Sequence, residues 1–388
     1  MHPHLRFNRP KVLLLTAGHF VTDIYPGLVA PLLPALQINL GLSLPKTAFI
    51  ASSLVIISSL SQPVFGYLSD LTRTTVLVAS GPVIGAIFLS SLGFADSYWM
   101  LIAFVSLGGL GVAAFHPQGA ALIGIKSGDR PFTGMSLFVT GGALGVSLGA
   151  LIAAPIVQLG SVRTLSYLMI PGICIGFLLW KFISRDILTR HHRQAASTNG
   201  KAHWVVFVIM IMLAMARAYI FVSFSTFIPL YLAEKGHVLA FGGLTLFFLH
   251  TAAGIGGFSG GFWAEKFGVP KVVLISFLAP VPLFMLYVFA ESSVGIAFLA
   301  LAAYILFTST PLVISLGQRA YPQNISMASS MVMGFAWGSA GVLLTPTGVL
   351  ADHIGLFHTL ISISSMPFVG FLLTLLIFRK MDLLPRKT

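Results

Sequence analysis

Gly66-Tyr67-Leu68-Ser69-Asp70 closes one long apolar stretch, and Gly261-Phe262-Trp263-Ala264-Glu265 closes another half a chain later. A short basic loop follows each. The offset is 195 residues (261 less 66) in a chain of 388, so the sequence reads as two copies of one unit. A duplicated bundle of apolar helices with matched basic loops is the construction of alternating-access carriers.

The composition of the whole sequence is that of a chain dissolved in lipid. Hydrophobic types make up 56% and charged types 8%, against about a quarter charged in soluble domains, and the mean hydropathy is +0.95. Stretches long enough to cross a hydrocarbon core of about 30 Å recur at 12–36, 47–69, 76–94, 98–121, 132–158, 164–183, 204–232, 242–264, 271–290, 294–316, 325–349 and 356–378. These twelve predict an all-α membrane protein of two pseudo-symmetric six-helix bundles. The first stretch is too long and too rich in Pro and polar residues for a cleaved leader, so it reads as a retained helix. The polar, basic stretch 184–203 divides the chain into an N-terminal bundle (1–183), a cytoplasmic linker (184–203) and a C-terminal bundle (204–388). His191 and His192 in that linker read as solvated residues.

A net charge of +12 invites a nucleic-acid reading, but its placement excludes one. Of the 22 Lys and Arg residues, 18 fall in the termini and in alternate loops, leaving Lys46, Arg163 and Lys235 on the other side and Arg217 inside a span. This bias puts both termini in the cytoplasm and draws those loops to anionic lipid head groups. The single cysteine, Cys174, rules out a disulfide within the chain and a cysteine-based metal site.

The second loop motif continues as Gly261, Glu265, Lys266, Gly268 and Lys271; the first keeps Gly66, Asp70 and Arg73 but has Leu71 in place of the first base and lacks the second Gly. With twelve spans and cytoplasmic ends, the chain resembles the major facilitator superfamily and is expected to have the major facilitator fold. The resemblance implies that these residues form cytoplasmic gating loops, with a charge latch better preserved in the second half. A closer similarity, to the fosmidomycin-resistance group of drug exporters, rests on His19-Phe-Val-Thr-Asp23, Ser61-Gln62-Pro63-Val-Phe-Gly66, Phe115-His116-Pro117, Gly141-Gly142 with Gly145, and a basic residue in the seventh span, Arg217. The group commonly carries Glu after the His-Pro pair; here Gln118 stands there and cannot titrate. The resemblance implies a multi-pass protein of the bacterial inner membrane, working as a monomer on protons and a small-molecule substrate.

Two charges lie deep in the spans. Asp23 is about 16 Å into the first at 1.5 Å per residue, and Arg217 is at similar depth in the seventh, 194 residues on (217 less 23). A central charge costs on the order of 2.5–3.5 kcal/mol, so such residues face a cavity or pair. In the superfamily the first and seventh helices line the central cavity, which makes an Asp23–Arg217 pair the expected coupling site. His19, one turn from Asp23 on the same face, either relays protons or hydrogen-bonds the carboxylate. Gln62, His116, Gln118 and His250 are further polar groups within spans, and Tyr25, Phe335 and Trp337 are candidate aromatic linings. Each of these has a structural alternative, an interhelical hydrogen bond or packing. Gly141, Gly142 and Gly145 match Gly334 and Gly338 in the eleventh span and allow close helix approach.

An anion captured by Arg217 would free Asp23 for protonation, which is symport; a cation competing for Asp23 would displace its proton, which is antiport. The expected function is proton-coupled export of a drug-like, fosmidomycin-like molecule by alternating access. The alternatives are symport uptake of an organic anion and divalent-metal transport through Asp23, His19 and His116, although a single buried carboxylate argues against a resident metal. No cofactor is expected. An enzyme is disfavoured: no His-Glu-x-x-His or Walker lysine motif occurs, no Gly-x-Ser-x-Gly sits at a strand-to-helix elbow (Gly145–Gly149 and Gly257–Gly261 match the pattern inside apolar stretches), and Gly254-Ile-Gly256-Gly257 lies within an apolar helix rather than between a strand and a helix.

Overall fold

A computed structural model describes residues 7–72, 75–128, 131–183, 203–290, 293–321, 328 and 331–382. Arg73 and residues 184–202, with His191 and His192, lie outside the described residues, as does the side chain of Asp70.

Without water to satisfy amides, a lipid-soluble chain closes its own backbone hydrogen bonds as helices, and no strand occurs among the described residues. The chain runs α1 (Arg9–Leu40), α2 (Leu44–Leu60), α3 (Gln62–Thr72), α4 (Val76–Ser90), α5 (Tyr98–Lys126), α6 (Pro131–Gln158), α7 (Met169–Phe182), α8 (Trp204–Glu234), α9 (Leu239–Phe267), α10 (Val269–Leu278), α11 (Pro280–Ala290), α12 (Ser293–Phe307), α13 (Thr310–Ala320), α14 (Ala336–Ser365) and α15 (Pro367–Asp382). Caps mark the ends of α1. Asn8 accepts from the Lys11 amide, and Gly41, at φ 59°, lets the chain turn back so that the Leu42 amide reaches the Gln37 carbonyl.

Among the described residues ten helical segments are long and apolar enough to span a membrane, against the twelve expected. Two departures account for the difference. Met331–Phe378 counts as one segment of 48 residues, yet Gly355 inside it has φ 81° and ψ 160°, a backbone no helix can carry. The break falls between the expected spans 325–349 and 356–378. The other departure is α4, at 15 residues shorter than a full crossing; a 3-10 turn at Leu92–Phe94 extends it. Several spans are broken near proline: α2 gives way to α3 before Pro63, α10 to α11 at Pro280, and α12 to α13 before Pro311.

The described chain forms two compact units, residues 1–190 with 232–247, and residues 191–231 with 248–388. Inside the first, α1 lies along α6, and α4 lies between α5 and α7. Glycine decides how closely α1 and α6 approach. A Cβ on Gly145 would stand 2.1 Å from the Phe20 carbonyl oxygen, one on Gly149 2.1 Å from that of Ile24, and one on Gly27 2.4 Å from that of Val146. The two backbones are therefore in direct contact, as small-residue seams in membrane helices permit. In the second unit α11 packs on α12 and α10 on α15.

Candidate functional site

The α1–α6 seam positions the most polar feature of the first unit. His19 and Asp23 lie one turn apart on α1 and are buried at 7% and 9% exposure; His116 reaches them from α5. His19 Nε2 is 3.2 Å from Asp23 Oδ2, and His116 Nε2 is 3.3 Å from Asp23 Oδ1. The two Nε2 atoms are 3.2 Å apart. Asp23 Oδ1 has this ion-pair contact but no hydrogen bond of good geometry. Aromatic rings wall the cluster: Phe138 stacks on His19 at 4.1 Å between centroids, and Phe115 lies 5.8 Å away.

The backbone dictates which ring nitrogens carry hydrogen. His19 Nδ1 is 2.7 Å from the Phe138 carbonyl oxygen, and His116 Nδ1 is 2.7 Å from that of Val112. A carbonyl only accepts, so both Nδ1 atoms donate. Both neutral imidazoles would then turn a bare Nε2 lone pair toward the other and toward a carboxylate. Three acceptors at these distances repel unless a proton lies among them, so the cluster is built to hold at least one. A divalent cation is the other occupant this donor set suits, with all three ligand atoms within 4.8 Å of one another and each second ring nitrogen tied to a carbonyl.

Gly142 of α6 makes room for this arrangement. A Cβ there would lie 2.5 Å from His19 Nε2 and 2.7 Å from Asp23 Oδ2.

In the second unit Arg217 of α8 is 4% exposed. Nη1 donates to Ser309 Oγ at 3.4 Å, and the guanidinium lies over the Phe307 ring at 5.9 Å. One turn on, Phe221 meets Phe307 at 4.7 Å, His250 at 5.1 Å and Trp337 at 5.8 Å. A further turn along, Ser225 Oγ is hydrogen-bonded to His250 Nε2 at 2.9 Å. The expected Asp23–Arg217 pair spans the two units; within its own unit each charge has the partners just described. Those partners lie 193 residues apart, His116 and Ser309 (309 less 116), close to the offset of the two charges.

A family model described as the Major Facilitator Superfamily matches residues 15–346. The chain belongs to that superfamily. It is 27% identical to the uncharacterized MFS-type transporter YfnC of Bacillus subtilis, covering 95% of this chain and 92% of the relative. It is 24% identical to the fosmidomycin resistance protein of Escherichia coli, over 92% and 90%. Among solved structures, a bacterial homolog of the human lysosomal transporter Spinster superposes with a TM-score of 0.80 at 13% identity, covering 98% and 99% of the two chains. That likeness carries the fold.

In this major facilitator protein the other expected site residues divide by role. Tyr25 is sealed in the interior, donating to the Leu168 carbonyl at 2.9 Å, and Gln118 accepts from the Val78 amide in the first turn of α4 at 2.8 Å. Gln62 donates to the Ser58 carbonyl at the α2–α3 break. These three were expected as cavity linings; Tyr25 and Gln118 bond to the backbone of other segments, and the Gln62 bond reaches back four residues along its own stretch of chain. Phe335 is exposed at the end of a π-helical turn, Met331–Phe335, whereas Trp337 joins the Phe221 cluster. In the second loop Glu265, Lys266 and Lys271 are exposed, and Gly268 takes φ 86° where α9 turns into α10. Among the described residues Glu265 makes no ion pair. Sequence reasoning missed Ser309, Phe221 and Phe138; Pro311 was the available signal for the first, because it marks a helix break within a span.

Proposed function

We propose that the chain is a proton-coupled secondary transporter of the bacterial inner membrane, with both termini in the cytoplasm, acting as a monomer to export a small organic molecule. The observation that carries this reading is the convergence of His19 Nε2, His116 Nε2 and the Asp23 carboxylate within 3.3 Å. A buried group that must hold a proton, and can pass it between three atoms, is what coupling to a proton gradient requires. The printed name of the Escherichia coli relative, a fosmidomycin resistance protein, supports export and a drug-like substrate. Substrate that engages the cluster displaces its proton, so the two occupy the carrier in alternation.

The test is transport in proteoliposomes under an imposed pH gradient. Flux of substrate against its own gradient is expected for the parent, and none for Asp23→Asn, which should still exchange substrate down a gradient. Gradient-driven flux in Asp23→Asn equal to the parent's would refute the reading. A second reading, symport uptake of an organic anion, is favoured by Arg217, a buried cation with no carboxylate partner among the described residues of its own unit. The direction of flux under the same gradient separates the two.

A further inference from the structure

We infer that His19, Asp23 and His116 form a binding site for one divalent transition-metal ion of the zinc class, held by three protein ligands with a fourth position open, and that the bound ion arrests the carrier. The inference deepens the transport reading by naming a regulator of the same site. It rests on that reading only for the consequence, lost proton-driven flux; the metal site itself stands on geometry.

The spacing of the ligand atoms is that of a coordination shell. Zinc bonds to imidazole nitrogen and carboxylate oxygen are about 2.0–2.2 Å long and tetrahedrally arranged, which puts neighbouring ligand atoms about 3.3–3.5 Å apart. His19 Nε2 lies 3.2 Å from His116 Nε2 and 3.2 Å from Asp23 Oδ2, and His116 Nε2 lies 3.3 Å from Asp23 Oδ1. With one carboxylate oxygen turned toward both rings, these contacts become the three edges of one tetrahedral face. The two imidazoles stand at 87° with centroids 4.9 Å apart, so they approach each other through their Nε2 ends.

The surroundings prepare each ligand. Both Nδ1 atoms donate to carbonyls, of Phe138 and Val112, at 2.7 Å, which leaves Nε2 as the metal-binding atom and fixes each ring. Asp23 Oδ1 is buried and has no hydrogen bond among the described residues. Phe138 and Phe115 flank His19, an apolar wall of the kind that limits water's access to a metal.

The donor set also selects the ion. Two imidazoles and one carboxylate suit zinc, cobalt and nickel, whereas magnesium and calcium take oxygen ligands. One carboxylate leaves a bound dication with excess positive charge, so the ion is a reversible occupant and not a permanent component. All three ligands belong to the first compact unit, two on α1 and one on α5. Motion of that unit as a body keeps the ligand atoms together, so the ion stays seated in the coupling proton's place instead of being carried.

The experiment is titration of the purified full chain, free of any histidine tag, with Co2+ in detergent at one pH and without a gradient, read by visible absorption. Four-coordinate cobalt absorbs far more strongly than the hexaaqua ion, so coordination geometry is read directly. One equivalent of the intense spectrum is expected, displaced by Zn2+ and unaffected by about a thousandfold excess of Mg2+, which prefers oxygen. His116→Ala and Asp23→Asn should each weaken binding at least about tenfold, since even outer partners of a metal site are worth that much. Gly142→Ala keeps every ligand but puts a Cβ 2.5 Å from His19 Nε2, and should weaken binding likewise. His191→Ala combined with His192→Ala should leave the spectrum unchanged. No intense spectrum in the parent, displacement by Mg2+, or a spectrum unchanged in both His116→Ala and Asp23→Asn would overturn the inference. Zn2+ entering proteoliposomes faster than protein-free vesicles would overturn the regulatory role by making the ion cargo; no such entry is expected. Because cobalt binding is read without a gradient, its failure is distinct from failure of proton coupling, which appears only in driven flux.

Discussion

Gly142→Ala perturbs the proton site without removing any of its ionisable groups. The added Cβ would lie 2.5 Å from His19 Nε2, and ordinary contact begins near 3.4 Å, so the imidazole must retreat by about 0.9 Å (3.4 less 2.5). A 3.2 Å contact lengthened by that amount is no longer a hydrogen bond, and the His19–Asp23 and His19–His116 contacts are both 3.2 Å. Stability changes little by comparison. Overpacking costs about 1–3 kcal/mol, and Ala gains about 1 kcal/mol over Gly in a helix, a net loss of up to about 2 kcal/mol. Gly257→Ala on α9 is the control, since its Cβ meets nothing within 4 Å. The assay pairs thermal unfolding in detergent with flux driven by a pH gradient. Gly142→Ala should remain folded yet lose at least about nine-tenths of driven flux, a barrier of about 1.4 kcal/mol, while Gly257→Ala keeps both. Driven flux at the parent's level in folded Gly142→Ala would refute the placement of the coupling proton.

Tyr25→Phe removes a buried donor from the Leu168 carbonyl and should cost about 1–3 kcal/mol, seen as a lower unfolding temperature with driven flux kept per folded molecule. Gly268→Ala forces a side chain into φ 86°, a strain of about 1–2 kcal/mol, and should lower the unfolding temperature more than Gly261→Ala, whose Cβ meets nothing within 4 Å. Zinc, which takes imidazole and carboxylate ligands, should inhibit driven flux by competing for the cluster's proton. A chelator should reverse that inhibition, and His116→Ala should weaken it.

Much of this architecture was legible because lipid imposes a long, simple period on sequence. The helix boundaries follow from apolar run length, and even the break at Gly355 falls in the gap between two expected spans. His19 and Asp23 were legible as a pair since four residues bring side chains onto one helix face. His116 was grouped with Asp23 and His19 only in the divalent-metal alternative and otherwise read as one more polar residue within a span, because its meeting with Asp23 depends on how α1, α5 and α6 pack, and that rests on glycines whose spacing indicates close approach but not the partner helix. For the same reason the backbone partners of Tyr25 and Gln118 were not legible; a polar group inside a span reads alike whether it faces substrate or a backbone group of another segment. Arg217 was visible as a charge, whereas its hydroxyl partner was hidden behind the helix break before Pro311.

The claim most exposed to a single measurement is that one exchangeable proton resides among His19, His116 and Asp23. In weakly buffered detergent solution, adding a transported substrate to the purified protein should change the bulk proton concentration, with release expected for an exporter. The change should vanish in Asp23→Asn and persist in His250→Gln. No proton change in the parent, or an undiminished one in Asp23→Asn, would contradict the account.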